Sequence, residues 1–258
     1  MTPAILTVST LWLISGLLIV AFAALDFDAL LRLQYSNTVQ TLSAVLSAWF
    51  CYRTAVDFPK ENPMRTVWTL LGGGMLAWGI GAVLFSSYPL LNDGAETPYP
   101  YFSDIGFLAL VPLVVAALFI LKNALGIVSP LWGKVLAMSL FLLTLIISLF
   151  VNWDGLINGD ILLLLTSILY VIFDPVLLAS TLLVASALYG GMVGKAWWWV
   201  LGGLGFYFVG NQFYVYLVFI EEYATGSPID SLWVFGFGMI ALAAMMTHAL
   251  FRGVRAVA

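Results

Sequence analysis

The 258-residue chain is 63% hydrophobic and only 9% charged, with a mean hydropathy of +1.07 and a formal net charge of −4. A soluble domain carries about a quarter charged residues, so a water-facing surface is excluded and an all-α integral membrane protein is implied. A single cysteine, Cys51, and a single histidine, His248, exclude an internal disulfide, a multi-cysteine metal or iron–sulfur site and bis-histidine haem ligation.

Apolar runs repeatedly reach the roughly 20 residues that cross a bilayer as helix; the alternating ten-residue pattern of a barrel is missing. The first expected span is Ala4 to Leu25. Ala21-Phe22-Ala23 has the small-residue look of a signal-peptidase site, but no Lys or Arg precedes it and the apolar run is long, so a retained anchor is expected. The second, Asn37 to Asp57, is the least apolar, and a charged link with Pro59 and Pro63 follows. The third runs from Thr66 to Leu90, the fourth from Asp104 to Lys122 and the fifth from Leu131 to Asn152. The sixth lies within Asp160 to Gly190, which is long for one crossing, so a short surface helix is expected first and the crossing from about Tyr170. The seventh is Ala196 to Phe219 and the eighth Asp230 to Phe251. The expectation is eight transmembrane helices in four hairpins, 4–57, 66–122, 131–190 and 196–251, within one domain.

With both termini inside, the inner side collects Arg53, Lys60, Arg65, Lys122, Lys134, Lys195, Arg252 and Arg255, leaving Arg32 outside. This is a clear positive-inside assignment. The outer side carries Asp26, Asp28, Asp93, Glu96, Asp104, Asp154, Asp160, Glu221, Glu222 and Asp230. Such a face could attract a basic partner, and it also follows simply from acids translocating where bases do not.

The third and fourth spans are echoed in the seventh and eighth. Leu71, Gly72 and Gly73 fall on Leu201, Gly202 and Gly203; Asp104 falls on Asp230 after a slightly shorter loop. The same hairpin therefore recurs in the same orientation, with the fifth and sixth spans as a weaker third copy. This is a parallel internal repeat, unlike inverted transporter repeats. Gly73, Ala77 and Gly81, like Gly202 and Gly210, are expected to let helices pack closely.

The polar residues at depth carry the chemistry. Asp174 stands about 24 Å above Gly190 at the helical rise, and Asn211 and Gln212 stand about as far above the start of the seventh span. An intramembrane carboxyl is a functional candidate by default, and Pro175 beside it removes a backbone bond. The alternative readings make Asp174 an interfacial cap or a structural partner of Asn211. The resulting candidate pocket opens outward and is ringed by Asp174, Asn211, Gln212, Tyr170, Tyr214 and Trp78. Asp104, after Ser103, and Asp230 stand at helix starts, where a carboxylate accepts free backbone N–H groups. Phe107 and Trp233 follow on the same faces, and Pro112 lies one turn beyond Phe107. These positions are read as caps and hinges.

No HExxH, phosphate-cradling loop or nucleophile triad is present. Lys122, Lys134 and Lys195 fall at expected helix ends, which leaves no mid-span Schiff-base lysine. Trp197-Trp198-Trp199 and Arg53 suit an interface, as does His248. No catalytic or metal-ligating residues are expected, and no cofactor beyond a bound lipid or other apolar small molecule.

The run WTLLGGGMLAWGIG, an outer loop, then SDIGFLALVPLVVAALFIL, together with Tyr170 and Asp174, Asp230 and Trp233, resembles the multi-pass sensory input domains that precede bacterial GGDEF diguanylate cyclases and histidine kinases. Ser103-Asp104, Phe107 and Val111-Pro112 carry the likeness, which covers Trp68 to His248. Ala82 departs from it, standing where an acidic residue is expected, and no output domain is expected in the residues up to Ala258. The resemblance implies a non-enzymatic sensory or ligand-binding module of a bacterial cytoplasmic membrane, acting through partner proteins. Two other readings stay open. One is a structural or accessory subunit packing against partner helices, lipids or pigments. The other is a small transporter with Asp174 as coupling acid and helix breaks at Pro112 and Pro175. Expected partners are the bilayer and a membrane protein or a second copy of the chain, without nucleic acid.

Overall fold

The structure, a computed structural model, describes residues 3–189 and 195–255, with side chains described as far as Phe251. Gly190, the expected inner end of the sixth span, and Ala258 lie outside the described residues, as do the side chains of Arg252 and Arg255. The described residues form helices only: α1 (Pro3–Ala24), α2 (Ala29–Ala55), α3 (Pro63–Leu91), α4 (Ser103–Ala124), α5 (Leu131–Val151), α6 (Trp153–Ile157), α7 (Ile161–Leu188), α8 (Lys195–Phe219) and α9 (Asp230–Arg255).

Six of them, α1, α3, α4, α5, α7 and α9, are long and apolar enough to cross a membrane. The long helices α2 and α8 do not join that set. Both carry polar side chains, and in α2 the reason is visible. Ser36, Gln40, Ser43, Ser47, Cys51 and Thr54 recur at three- and four-residue steps and are all buried inside the protein. A helix so placed exchanges lipid contact for hydrogen bonds and close packing.

Local signals set several ends. Asp28 caps α2 by accepting the Leu31 N–H (3.1 Å). Asn62 caps α3 by accepting the Met64 N–H (2.9 Å), ahead of Pro63. Asp160 accepts the Leu162 and Leu163 N–H groups at 3.0 and 2.9 Å. That last cap starts a helix that runs unbroken to Leu188, so the expected short helix before Tyr170 is not there. The short surface helix is α6, one connection earlier. The second helix likewise begins at Ala29, well before Asn37.

Helices α2, α3, α4, α7, α8 and α9 pack each on the next, and α9 closes back onto α2, forming a ring of six. Outside it, α1 lies against α9 and α2, while α5 and α6 lie against α7. The small residues sit where ring neighbours touch. A Cβ on Gly106 would fall 2.4 Å from the Ala77 carbonyl oxygen, and one on Gly81 2.7 Å from that of Ser103, so α3 and α4 meet backbone to backbone. Gly203 and Gly236 do the same between α8 and α9, at 2.5 Å to the Gly236 oxygen. Of the glycines singled out in the sequence, Gly73 makes only ordinary contacts and Gly202 meets only the end of Met239; close approach falls on their neighbours.

Half of the ring is solid. Trp68 and Trp197 stack with centroids 5.1 Å apart, and Met75, Leu118, Leu121, Leu177, Val200, Leu204, Phe237 and Ile240 fill the centre above them, all essentially without exposure. The other half, toward the start of α4 and the end of α8, is open.

A candidate ligand cavity in the open half of the ring

A cavity of about 340 Å³ occupies that half. Each wall is a helix face repeating at three- and four-residue intervals: Leu163, Ser167, Tyr170 and Asp174 from α7, Tyr207, Asn211, Tyr214 and Val218 from α8, and Trp78, Ala82 and Phe85 from α3. Asn37 and Gln40 enter from α2, Ser103, Asp104 and Phe107 from α4, and Trp233 from α9. Thr97–Tyr99, Asn152, Asp154, Gly155 and Tyr223 surround the mouth. From Leu163 to Asp174 the wall runs about 16 Å along α7 at the helical rise.

At the floor, Asp174 is 3% exposed. Asn211 Nδ2 donates to its Oδ1 and Gln212 Nε2 to its Oδ2, both at 3.1 Å. Asn211 Oδ1 in turn accepts the indole N–H of Trp233 at 2.9 Å. One chain of hydrogen bonds thus ties α7 to α8 and α8 to α9, and it orients the indole of Trp233 against the cavity. Trp78 completes the floor, its ring 5.1 Å from Phe107 and 6.3 Å from Trp233.

The two aspartates read as helix caps do something different. Asp104 does not accept from its own helix; its Oδ2 accepts the Tyr101 N–H behind it (2.7 Å) and its Oδ1 the Tyr170 hydroxyl of α7 (2.7 Å). Asp230, fully buried, accepts the Gly226 N–H (2.8 Å), the Ser36 hydroxyl of α2 (2.7 Å) and the Tyr223 hydroxyl (3.1 Å). Each carboxylate folds its preceding loop back and fastens its helix to the next member of the ring. They are inter-helix clasps. Burial, followed by the charge of Asp230, pushes the Tyr223 hydroxyl well above the usual phenol range, so it stays a donor. Gly226 has φ +95°, and a Cβ there would fall 2.7 Å from that of Arg32; only glycine both makes this turn and clears α2.

Of the residues expected in the pocket, Asp174, Asn211, Tyr170, Tyr214 and Trp78 line it, and Gln212 holds Asp174 from behind. Ser103, Asp104 and Trp233, expected as caps or hinges, also line it, whereas Asp230 and Pro112 do not. Pro112 and Pro175 both lie inside continuous helices, so neither makes the helix break expected of a transporter. Tyr207, Asn37, Gln40 and Ser167 were not singled out by the sequence. The low apolarity of the second span is the signal that could have found the α2 pair, and the seven-residue spacing of Tyr207 and Tyr214 on one face of α8 the signal that could have found Tyr207. No protein-family model, curated protein or solved structure matches the chain.

At the far end of α9, His248 Nδ1 pairs with Asp57 Oδ2 in the link between α2 and α3. Among the described residues, no group of three His, Cys, Asp or Glu side chains could hold a metal ion.

Proposed function

We propose that the chain is a non-enzymatic membrane module that takes up a small amphipathic molecule in this cavity and passes its occupancy to a partner protein. In this reading all eight long helices cross the membrane, N-in and C-in, and the cavity opens on the outer side of a bacterial cytoplasmic membrane. The observation that carries the reading is the cavity itself: a pocket of binding-site volume, mostly apolar, with a few convergent polar groups held by buried hydrogen bonds. The solid half of the ring supports binding over passage, because Trp68, Met75 and Phe237 are packed there without exposure among the described residues. The resemblance of Ser103-Asp104, Phe107 and Trp233 to sensory input domains adds the signalling part of the reading.

The route for the signal is α9. Trp233 touches the cavity near its start and His248 holds the α2–α3 link near its end. Between them, Thr54 Oγ1 donates to the Ala244 carbonyl (2.9 Å), tying α9 to α2. A ligand that displaces the Trp233 indole shifts a rod fastened at both ends. The recurrence of a carboxylate clasp at Asp104 and Asp230, each joining a helix start to the next ring helix, supports descent of the two hairpins from one repeat.

Native mass spectrometry of the chain released from its own membrane in mild detergent tests this. The expected result is a stoichiometric small-molecule adduct that is lost in Ala82→Phe, which fills the cavity. Release of the unaltered protein at its bare chain mass, without any adduct, would overturn it.

A further inference from the structure

The chemistry of the wall selects a ligand class. Asp104, Asp154 and Asp174 face the cavity, and no Lys, Arg or His is among its described lining residues. Asp174 is held by two neutral amides, and no cation pairs with it among the described residues. A carboxylate withdrawn from water is held in its charged form most strongly by a cationic partner. Trp78, Trp233, Tyr207 and Tyr214 line the same cavity, and their ring faces attract cations, tryptophan most strongly. Anions find no basic side chain there, and a neutral molecule can offer the carboxylate a hydrogen bond but no opposite charge.

We propose that the cavity binds an organic monocation, an amine or quaternary ammonium carrying an apolar group. Its charged head sits on the cavity side of Asp174 against Trp78 and Trp233, and its apolar part lies against Phe85 and Val218 toward the mouth. This rests on the ligand-binding reading above and names the substrate class of that site.

The test uses the full chain in lipid nanodiscs and three probes built on one benzyl group: benzyltrimethylammonium, its uncharged isostere neopentylbenzene, and phenylmethanesulfonate. Binding is read by calorimetry and by quenching of tryptophan fluorescence. The expected result is saturable binding of the cation, with the isostere and the anion weaker by about tenfold or more. In Asp174→Asn the preference for cation over isostere collapses, while Asp174→Glu keeps it. Equal binding of cation and isostere by the unaltered protein overturns the cation assignment and leaves the cavity reading standing. If none of the three binds, both fall. Because the comparison among probes is made on the unaltered protein, it holds even if a variant fails to fold.

Discussion

Asn211 does two jobs with one side chain. Its amide nitrogen donates to Asp174 and its oxygen accepts from Trp233. Removing it leaves a buried carboxyl short of a donor and an indole N–H without its acceptor, and each unsatisfied buried group costs about 1–3 kcal/mol. Asn211→Leu should therefore lower the melting temperature in detergent and free the Trp233 ring, seen as a change in tryptophan emission. Gln212→Leu should lower stability without moving that emission, since Gln212 bonds Asp174 alone. The polar group Asp174, Asn211 and Gln212 was legible because such residues stand out in apolar spans. The clasps were not. A carboxylate at a helix start reads as a cap from sequence, and the hydroxyls of Tyr170 and Ser36 that draw Asp104 and Asp230 elsewhere lie far away along the chain.

At the scale of the helix pair, the contacts between α3 and α4 and between α8 and α9 depend on a few absent side chains. Gly106→Ala places a methyl carbon 2.4 Å from a backbone oxygen that cannot retreat without moving a helix, and overpacking of this kind costs about 1–3 kcal/mol. A Cβ added at Gly205 would meet no atom within 4 Å, so Gly205→Ala should be neutral or stabilise by up to about 1 kcal/mol through helix propensity. Thermal unfolding of the two variants side by side checks both signs. Glycine-rich stretches were legible as close-packing faces, but which glycine meets a neighbour depends on rotation of the helix by a fraction of a turn. The same limit applies to α7. Its length suggested a break near Tyr170; a 28-residue helix (about 42 Å at the helical rise) is instead accommodated by tilting or by projecting from the bilayer.

For the whole molecule, the helical membrane character was legible from composition alone, because so few charged residues cannot dress a soluble surface. Closure of the six-helix ring was not, because it depends on contacts between distant helices such as α9 and α2. The number of crossings separates helices by what they face. Six are apolar enough by themselves, and α2 and α8 need the ring's interior to shelter their polar sides. Eight crossings predict that Asp93→Cys, Asp154→Cys and Glu222→Cys react with an impermeant maleimide from outside intact cells, whereas Lys60→Cys and Gly126→Cys react only after permeabilisation. Cys51 is wholly buried, so the background is low. Labelling of Lys60→Cys in intact cells would mean that α2 does not cross.

In the ligand-binding reading proposed above, the stacked Trp68 and Trp197 and the packed side chains beside them close one end of the cavity, which is then a blind well. A blind well equilibrates with one compartment. Its fractional occupancy is therefore set by the ligand's concentration on that side, whatever the concentration across the bilayer. On that reading a gradient is sensed without being dissipated, and emptying the well requires the ligand to leave by the way it came.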